Sequence, residues 1–139
     1  MSTNITTKPA KIQELYATGK RKTSIARVFL KKGQGSFLVN NKSYDTYFSR
    51  APHKLLVKQP FKIANSVDTY DVRCFVVGGG HSGQAGAVKH GISKILAGIN
   101  ENMHAILRNT GFLTRDDRRV ERKKYGQPKA RKKFQFSKR

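Results

Sequence analysis

The stretch TYDVRCFVVGGGHSGQAGAVKHGISKILAGIN, residues 69–100, reads as a strand, a tight glycine turn and a helix in direct succession. Thr69 to Val77 alternates Tyr70, Val72, Cys74 and Val76 against Asp71, Arg73, Phe75 and Val77, the period of two that a half-buried strand requires. From Ala85 onward Val88, Ile92, Ile95, Leu96 and Ile99 recur at helical spacing. Gly78 to Gly83 joins them. Gly78-x-Gly80-x-x-Gly83 spells a dinucleotide-binding fingerprint, with Glu101 eighteen residues past Gly83. Glu101, however, opens a second helical stretch and does not end a second strand. No further βαβ unit follows, and there is no GxxxxGK[ST] phosphate loop. What survives is physical: glycines permit close approach, and free N–H groups at a helix start attract phosphate. Gly79, Gly80 and Gln84 are therefore candidate phosphate contacts, set against a turn that touches nothing.

Working outward, Gln13 to Thr18 and Ser24 to Lys31 read as strands, with Ala26, Val28 and Leu30 on one face and Arg27 on the other. Gly33-Gln34-Gly35 marks a turn, so Ser36 to Asn40 is expected to return as the second arm of a hairpin. Tyr44 to Ser49 and Pro52 to Val57 read as short helices, the second starting on Pro52 and ended by Pro60. The second long helix starts near Glu101 with Asn100 as its cap, turns Met103, Ile106 and Leu107 inward, and ends at Gly111. The order β-β-β-(short α)-β-α-α predicts an α+β fold: a small mixed sheet with two helices packed on it. The expected layout is an arm over 1–12, a globular domain over 13–113 and a basic helix with an extended tail over 114–139.

Charge sets the class of partner. The 139 residues hold 29 Lys and Arg against 8 Asp and Glu, a net of +21. Self-repulsion of that size calls for a polyanion. From Arg115 to the end, 12 basic and 3 acidic residues share 25 positions, and no acid follows Glu121. No run approaches the ~18 apolar residues of a spanning helix, and residues 1–11 lack the apolar segment of a secretory signal. One cysteine, Cys74, forms no internal disulfide and fits a reducing compartment. His53, His81, His90 and His104 show no metal-ligand spacing, and no nucleophile lies paired with a base. Catalysis, cofactor, metal and small-molecule substrate are not expected.

Three features point to nucleic acid. Gly19-Lys20-Arg21-Lys22-Thr23 places three consecutive cations in an expected loop between strands, suited to phosphate contact. Thr114 followed by Asp117 resembles a helix cap, and a helix there would carry Arg115, Arg118, Arg119 and Arg122 along one face. Lys123, Lys124, Lys129, Arg131, Lys132 and Lys133 continue the cationic run beyond it. Past Tyr125, Gly126 and Pro128 break any helix, while Tyr125, Phe134 and Phe136 interleave with cations in a manner suited to base stacking. Fully extended, residues 122–139 would reach about 60 Å. A free DNA-binding, histone-like protein is the competing reading.

YATGKRKTSIARV (16–28), GGGHSGQAGAVKHG (78–91) and LTRDDRRVERKKYGQPKARKKFQFSKR (113–139) together resemble the bacterial small-subunit ribosomal protein S-nine family, over essentially Gln13 to Arg139. That resemblance implies a fold shared with the second domain of ribosomal protein S-five and a place in the cytoplasmic ribosome. It also implies binding to 16S rRNA in the subunit head beside neighbouring head proteins, with no membrane involvement. Ser137, Lys138 and Arg139 are then implied to contact P-site tRNA, and the other cations named above to contact rRNA. Asp117 departs from the proline common at this place in the family's motif, leaving a less rigid start to the expected helix.

Overall fold

The computed structural model describes residues 13–137; the expected N-terminal arm, Lys138 and Arg139 lie outside the described residues. The element order is β1 (Leu15–Arg21), β2 (Ser24–Lys32), β3 (Phe37–Val39), β4 (Lys42–Ser43), α1 (Tyr44–Tyr47), α2 (Ala51–Ile63), β5 (Tyr70–Val77), α3 (His81–Ile99) and α4 (Glu101–Asn109). The strands form one mixed sheet in the order β1-β2-β5-β3-β4, in which only the β3–β5 pair is parallel.

The alternation read from the sequence becomes the core. Ala26, Val28 and Leu30 of β2 and Val72, Cys74 and Val76 of β5 are buried on the face that receives α3. Burying each large aliphatic side chain contributes about 1.5–3 kcal/mol. Helix α3 is buried over nearly its whole middle, from Gly83 to Ser93 apart from half-buried Lys89, because the sheet lies on one side and α2 and α4 on others. Its expected stripe is therefore wider than an amphipathic surface helix, though Ile99 is exposed. Asn100 caps α4, its side chain accepting from the N–H of Asn102 at 3.0 Å. Gly111 follows in the left-handed region at φ +79. Leu107 is buried and Met103 partly so, but Ile106 is 44% exposed, against the inward placement expected for it.

Four expectations are corrected. Residues 36–40 do not return beside β2: both edges of β2 are already paired, with β1 and β5. The chain instead crosses the end of β5, where Asp71 accepts the N–H groups of Gln34, Gly35 and Ser36 at 3.0, 3.1 and 2.9 Å. β3 then pairs with the far edge of β5. Asn40 lengthens that pairing by accepting from Val76 N–H at 2.9 Å and donating to its carbonyl at 3.0 Å. Second, Pro60 does not end α2; it is fully buried within the helix, which runs one turn further to Ile63. A proline there forfeits one backbone bond, a cost limited so near the helix end and offset by burial of its ring. Third, Gly19, Lys20 and Arg21 are not loop but the last residues of β1, paired with Ala26, Ile25 and Ser24. Only Lys22 and Thr23 make the turn, with Lys22 at φ +52. Fourth, residues 114–124 form no helix. The only apolar side chain there, Val120, is 91% exposed, so a helix would have nothing to pack against. Asp116 accepts the N–H of Arg118 at 3.1 Å, a local bond that competes with helical pairing.

Candidate nucleic-acid interface

The glycine turn is built by a chain of side-chain bonds. The Gly78 carbonyl receives both Ser24 Oγ and Gln84 Nε2 at 3.0 Å, and Tyr47 Oη donates to Gln84 Oε1 at 2.6 Å. Gly78 and Gly79 are left-handed, at φ +76 and +60, and a Cβ on Gly79 would lie 2.1 Å from Ser24 Oγ. Gly79 and Gly80 are exposed, whereas Gln84 is buried with its amide engaged in holding the turn. Gln84 thus acts on the turn from beneath. The first α3 bond is Gln84 N–H to Gly80 carbonyl, so the N–H groups of His81, Ser82 and Gly83 precede the helical ladder. A cleft of about 310 Å³ opens there, flanked by Arg50, His53 and His81. Arg50 and His53 are polar neighbours that sequence reasoning missed, since the start of α2 reaches the turn only through the fold.

A second notch lies where β1 meets α3. Arg21 and Lys20 line it from the strand, Lys89 and His90 from the helix, and Phe112 and Asp116 close it in a volume of about 150 Å³. Arg21 Nη2 lies 3.3 Å from Asp116 Oδ2, while Arg21 Nε is buried with no hydrogen-bond partner among the described residues. Lys89 sits 4.0 Å over the ring of Phe112, and its pKa is lowered by desolvation and by the charge of Arg21. His90 Nε2 donates to the Leu113 carbonyl at 3.3 Å, and burial pushes its pKa down. Arg21 and Lys89 crowd one another while only Arg21 is held by Asp116, so the notch has charge left over for a further anion. Lys89 and His90 were not among the expected contacts; Lys89 breaks the apolar pattern of its helix face, which is the signal that could have found it.

Residues 114–137 run on without helix or strand. Arg115, Arg118, Arg119, Arg122 and Lys123 are exposed, and Lys124 partly so. Asp116 holds Arg118 at 2.8 Å as well as Arg21, and Arg118 foremost depresses its pKa. Glu121 holds Lys124 and, at 2.9 Å, Arg131, which closes a turn around Tyr125 and Gly126 (φ +70). Tyr125, Phe134 and Phe136 are 95%, 72% and 88% exposed, and Lys129, Lys132, Lys133 and Ser137 are exposed among them. The thirteen expected cations between Lys20 and Lys133, all within the described residues, thus divide between the hairpin end and the tail. Lys138 and Arg139 lie outside the described residues. Among the described residues no group of three His, Cys, Asp or Glu could hold a metal, and no helix is long and apolar enough to cross a membrane.

A basic α+β domain with a cationic notch, an open helix start and an aromatic-cationic extension has the chemistry of a polyanion-binding protein. The comparisons with known proteins are specific. Residues 19–139 match the family model described as ribosomal protein S9/S16. The chain is 59% identical over 124 residues to the small ribosomal subunit protein uS9 of Rickettsia bellii, covering 89% of this chain and 76% of that protein. It is 58% identical over 126 residues to the proteins of the same name from Rickettsia canadensis and Rickettsia felis, covering 91% of this chain and 78% of each. The chain belongs to the ribosomal protein S9/S16 family, whose members are structural and non-enzymatic.

Proposed function

We propose that this protein is a structural constituent of the small subunit of the cytoplasmic ribosome, binding 16S rRNA in the subunit head beside other head proteins. In this reading the domain over 13–113 has the fold of the second domain of ribosomal protein S-five and seats rRNA phosphates at the β1–α3 notch and the α3 start. Residues 114–139 thread through rRNA, and Ser137, Lys138 and Arg139 end at P-site tRNA. The observation that carries the reading is the tail: cations and rings exposed together, with nothing of their own to bury, gain partners only from outside the chain. Asp116 and Glu121 act as internal counter-ions that exchange for RNA phosphate on binding. Phosphate contacts at the tail tip are sequence-tolerant, as a site that receives every tRNA in turn requires.

Gradient sedimentation of cell lysate at moderate and high salt tests the assignment. Co-migration with the small subunit that persists at high salt is the expected result. Release at modest salt, or migration with DNA, would indicate a generic cationic binder; about 10 phosphate contacts alone would give a log–log salt slope of −7 to −9. Deleting Ser137 to Arg139 is expected to spare assembly and weaken P-site tRNA retention. A truncated chain that fails to assemble would refute that division of labour.

A further inference from the structure

One face of the sheet is covered by α3; among the described residues the other is open, and it is not the polar surface that an exposed antiparallel face normally shows. Strand register sets two rows across it. Tyr16, Phe29, Arg73 and Leu38 lie side by side in one, and Thr18, Arg27 and Phe75 in the next. The three rings touch, with centroids 5.0 Å apart for Tyr16 and Phe29 and 6.1 Å for Phe29 and Phe75. Guanidiniums stack among them: Arg73 lies 5.2 Å from the Phe29 centroid and 5.8 Å from that of Phe75, and Arg27 5.6 Å from Phe75. At the border Tyr16 is 54% and Val77 63% exposed. Between Phe29, Lys31, Leu38 and Arg73 a groove of about 230 Å³ opens along the face.

We infer that this open face is a second RNA-binding surface, a stacking platform for unpaired bases, distinct from the phosphate seats at the hairpin end and in the tail. The choice of occupant follows from charge and from the rings together. Arg27, Lys31 and Arg73 face Glu14 and Asp71, and Asp71 is already occupied by the three N–H groups of residues 34–36. Glu14 lies 3.3 Å from Arg73, leaving Arg27 and Lys31 unpaired on this face among the described residues. A surface that is both cationic and aromatic suits a strand whose backbone is anionic and whose bases have free π-faces. Duplex RNA offers the charge without the free faces, because its bases are stacked on one another. The inference rests on the rRNA reading above and names the RNA element that this face takes.

The chain contains no tryptophan, so Tyr16→Trp in the full chain places a single reporter on the platform at an exposed, ring-compatible position. A short unstructured RNA is expected to quench the indole, and a duplex of equal charge at equal salt to leave it nearly unchanged. In that background Arg27→Gln, at an exposed side chain, and Phe75→Ser, checked by circular dichroism for retained fold, are each expected to weaken the quenching interaction roughly tenfold. Equal quenching by both RNAs would overturn the inference, leaving only charge attraction. The same variant is then assembled into small subunits and probed with acrylamide. An indole shielded in the subunit, together with quenching by single strands, supports the platform. Shielding without any response to single-stranded RNA would mean that a neighbouring protein covers the face, and an exposed indole would mean that nothing does; either overturns the inference while leaving subunit membership intact. Failure of the chain to enter the subunit would remove the rRNA reading and the platform with it.

Discussion

Replacing Gly19 with Ala tests the joint that positions the cationic notch. Gly19 lies in β1 beneath α3, and a Cβ there would stand 1.9 Å from the Ala87 carbonyl oxygen and 2.4 Å from the Gly91 nitrogen. Ordinary non-bonded contacts lie near 3.5–4.0 Å, so strand and helix must separate by more than about 1 Å. Both opposing atoms are helix backbone and have no rotamer to escape into. Overpacking costs about 1–3 kcal/mol where side chains can adjust; here about 3 kcal/mol or more is expected. Relieving the unfolded-state entropy of glycine returns roughly 0.5–1 kcal/mol, for a net loss of at least ~2 kcal/mol. Gly98→Ala is the matched control, because a Cβ at that position in α3 meets nothing within 4 Å. It should stabilise by up to about 1 kcal/mol. Urea unfolding of the full-length variants, followed by circular dichroism with the slope checked for constancy, measures both. If Gly19→Ala falls within ~0.5 kcal/mol of Gly98→Ala, β1 and α3 do not approach this closely.

Arg21→Gln and Lys89→Gln should each reduce the log–log salt slope of rRNA binding by about 1, as loss of one phosphate contact predicts, and affinity should fall on all RNA sequences alike; an unchanged slope would remove the notch from the interface. Burial pushes the Cys74 thiol up to about 12, so it should resist thiol reagents at pH 8 in the folded chain and react in urea. Because the unfolded thiol ionises near ~8.5, stability should decline as pH rises above that value, and a Cys74→Ala variant should decline less. His90 is held below the usual imidazole value by burial, so the unfolded chain binds its proton more readily. Stability should therefore fall as pH drops through about 6.5, and His90→Asn should flatten that limb; a parent stable to the same degree at pH 7 and pH 5 would contradict this.

Much of this architecture is legible in particular residues. The alternation in 70–77, the stripe from Ala85 to Leu96, the Asn100 cap and the left-handed Gly111 are local patterns, and they appear where local rules put them. The same rules misplaced what depends on distant partners. Gly33-Gln34-Gly35 has the composition of a hairpin turn, yet Asp71, some 35 residues away, holds it as a crossover. Thr114 and Asp117 resemble a helix cap, yet no core surface meets the segment that follows. Gln84 stands in a motif that suggests a ligand, but its amide is already used by Gly78 and Tyr47.

By itself the sequence determined the class of partner, the faces of the main strands and long helices, and the lack of anything for the tail to bury. These depend on composition and on side-chain period along the chain, which any folded arrangement must respect. Tertiary structure alone decided the strand order, because hydrogen-bonding edges are filled by competition among strands far apart in sequence. It also decided that Lys89 and His90 join Arg21 in one notch, and that rings and guanidiniums from three strands share the open face. Each of those sites exists only where separate elements bring like charges or π-faces within a few ångströms of one another, a distance no local pattern encodes.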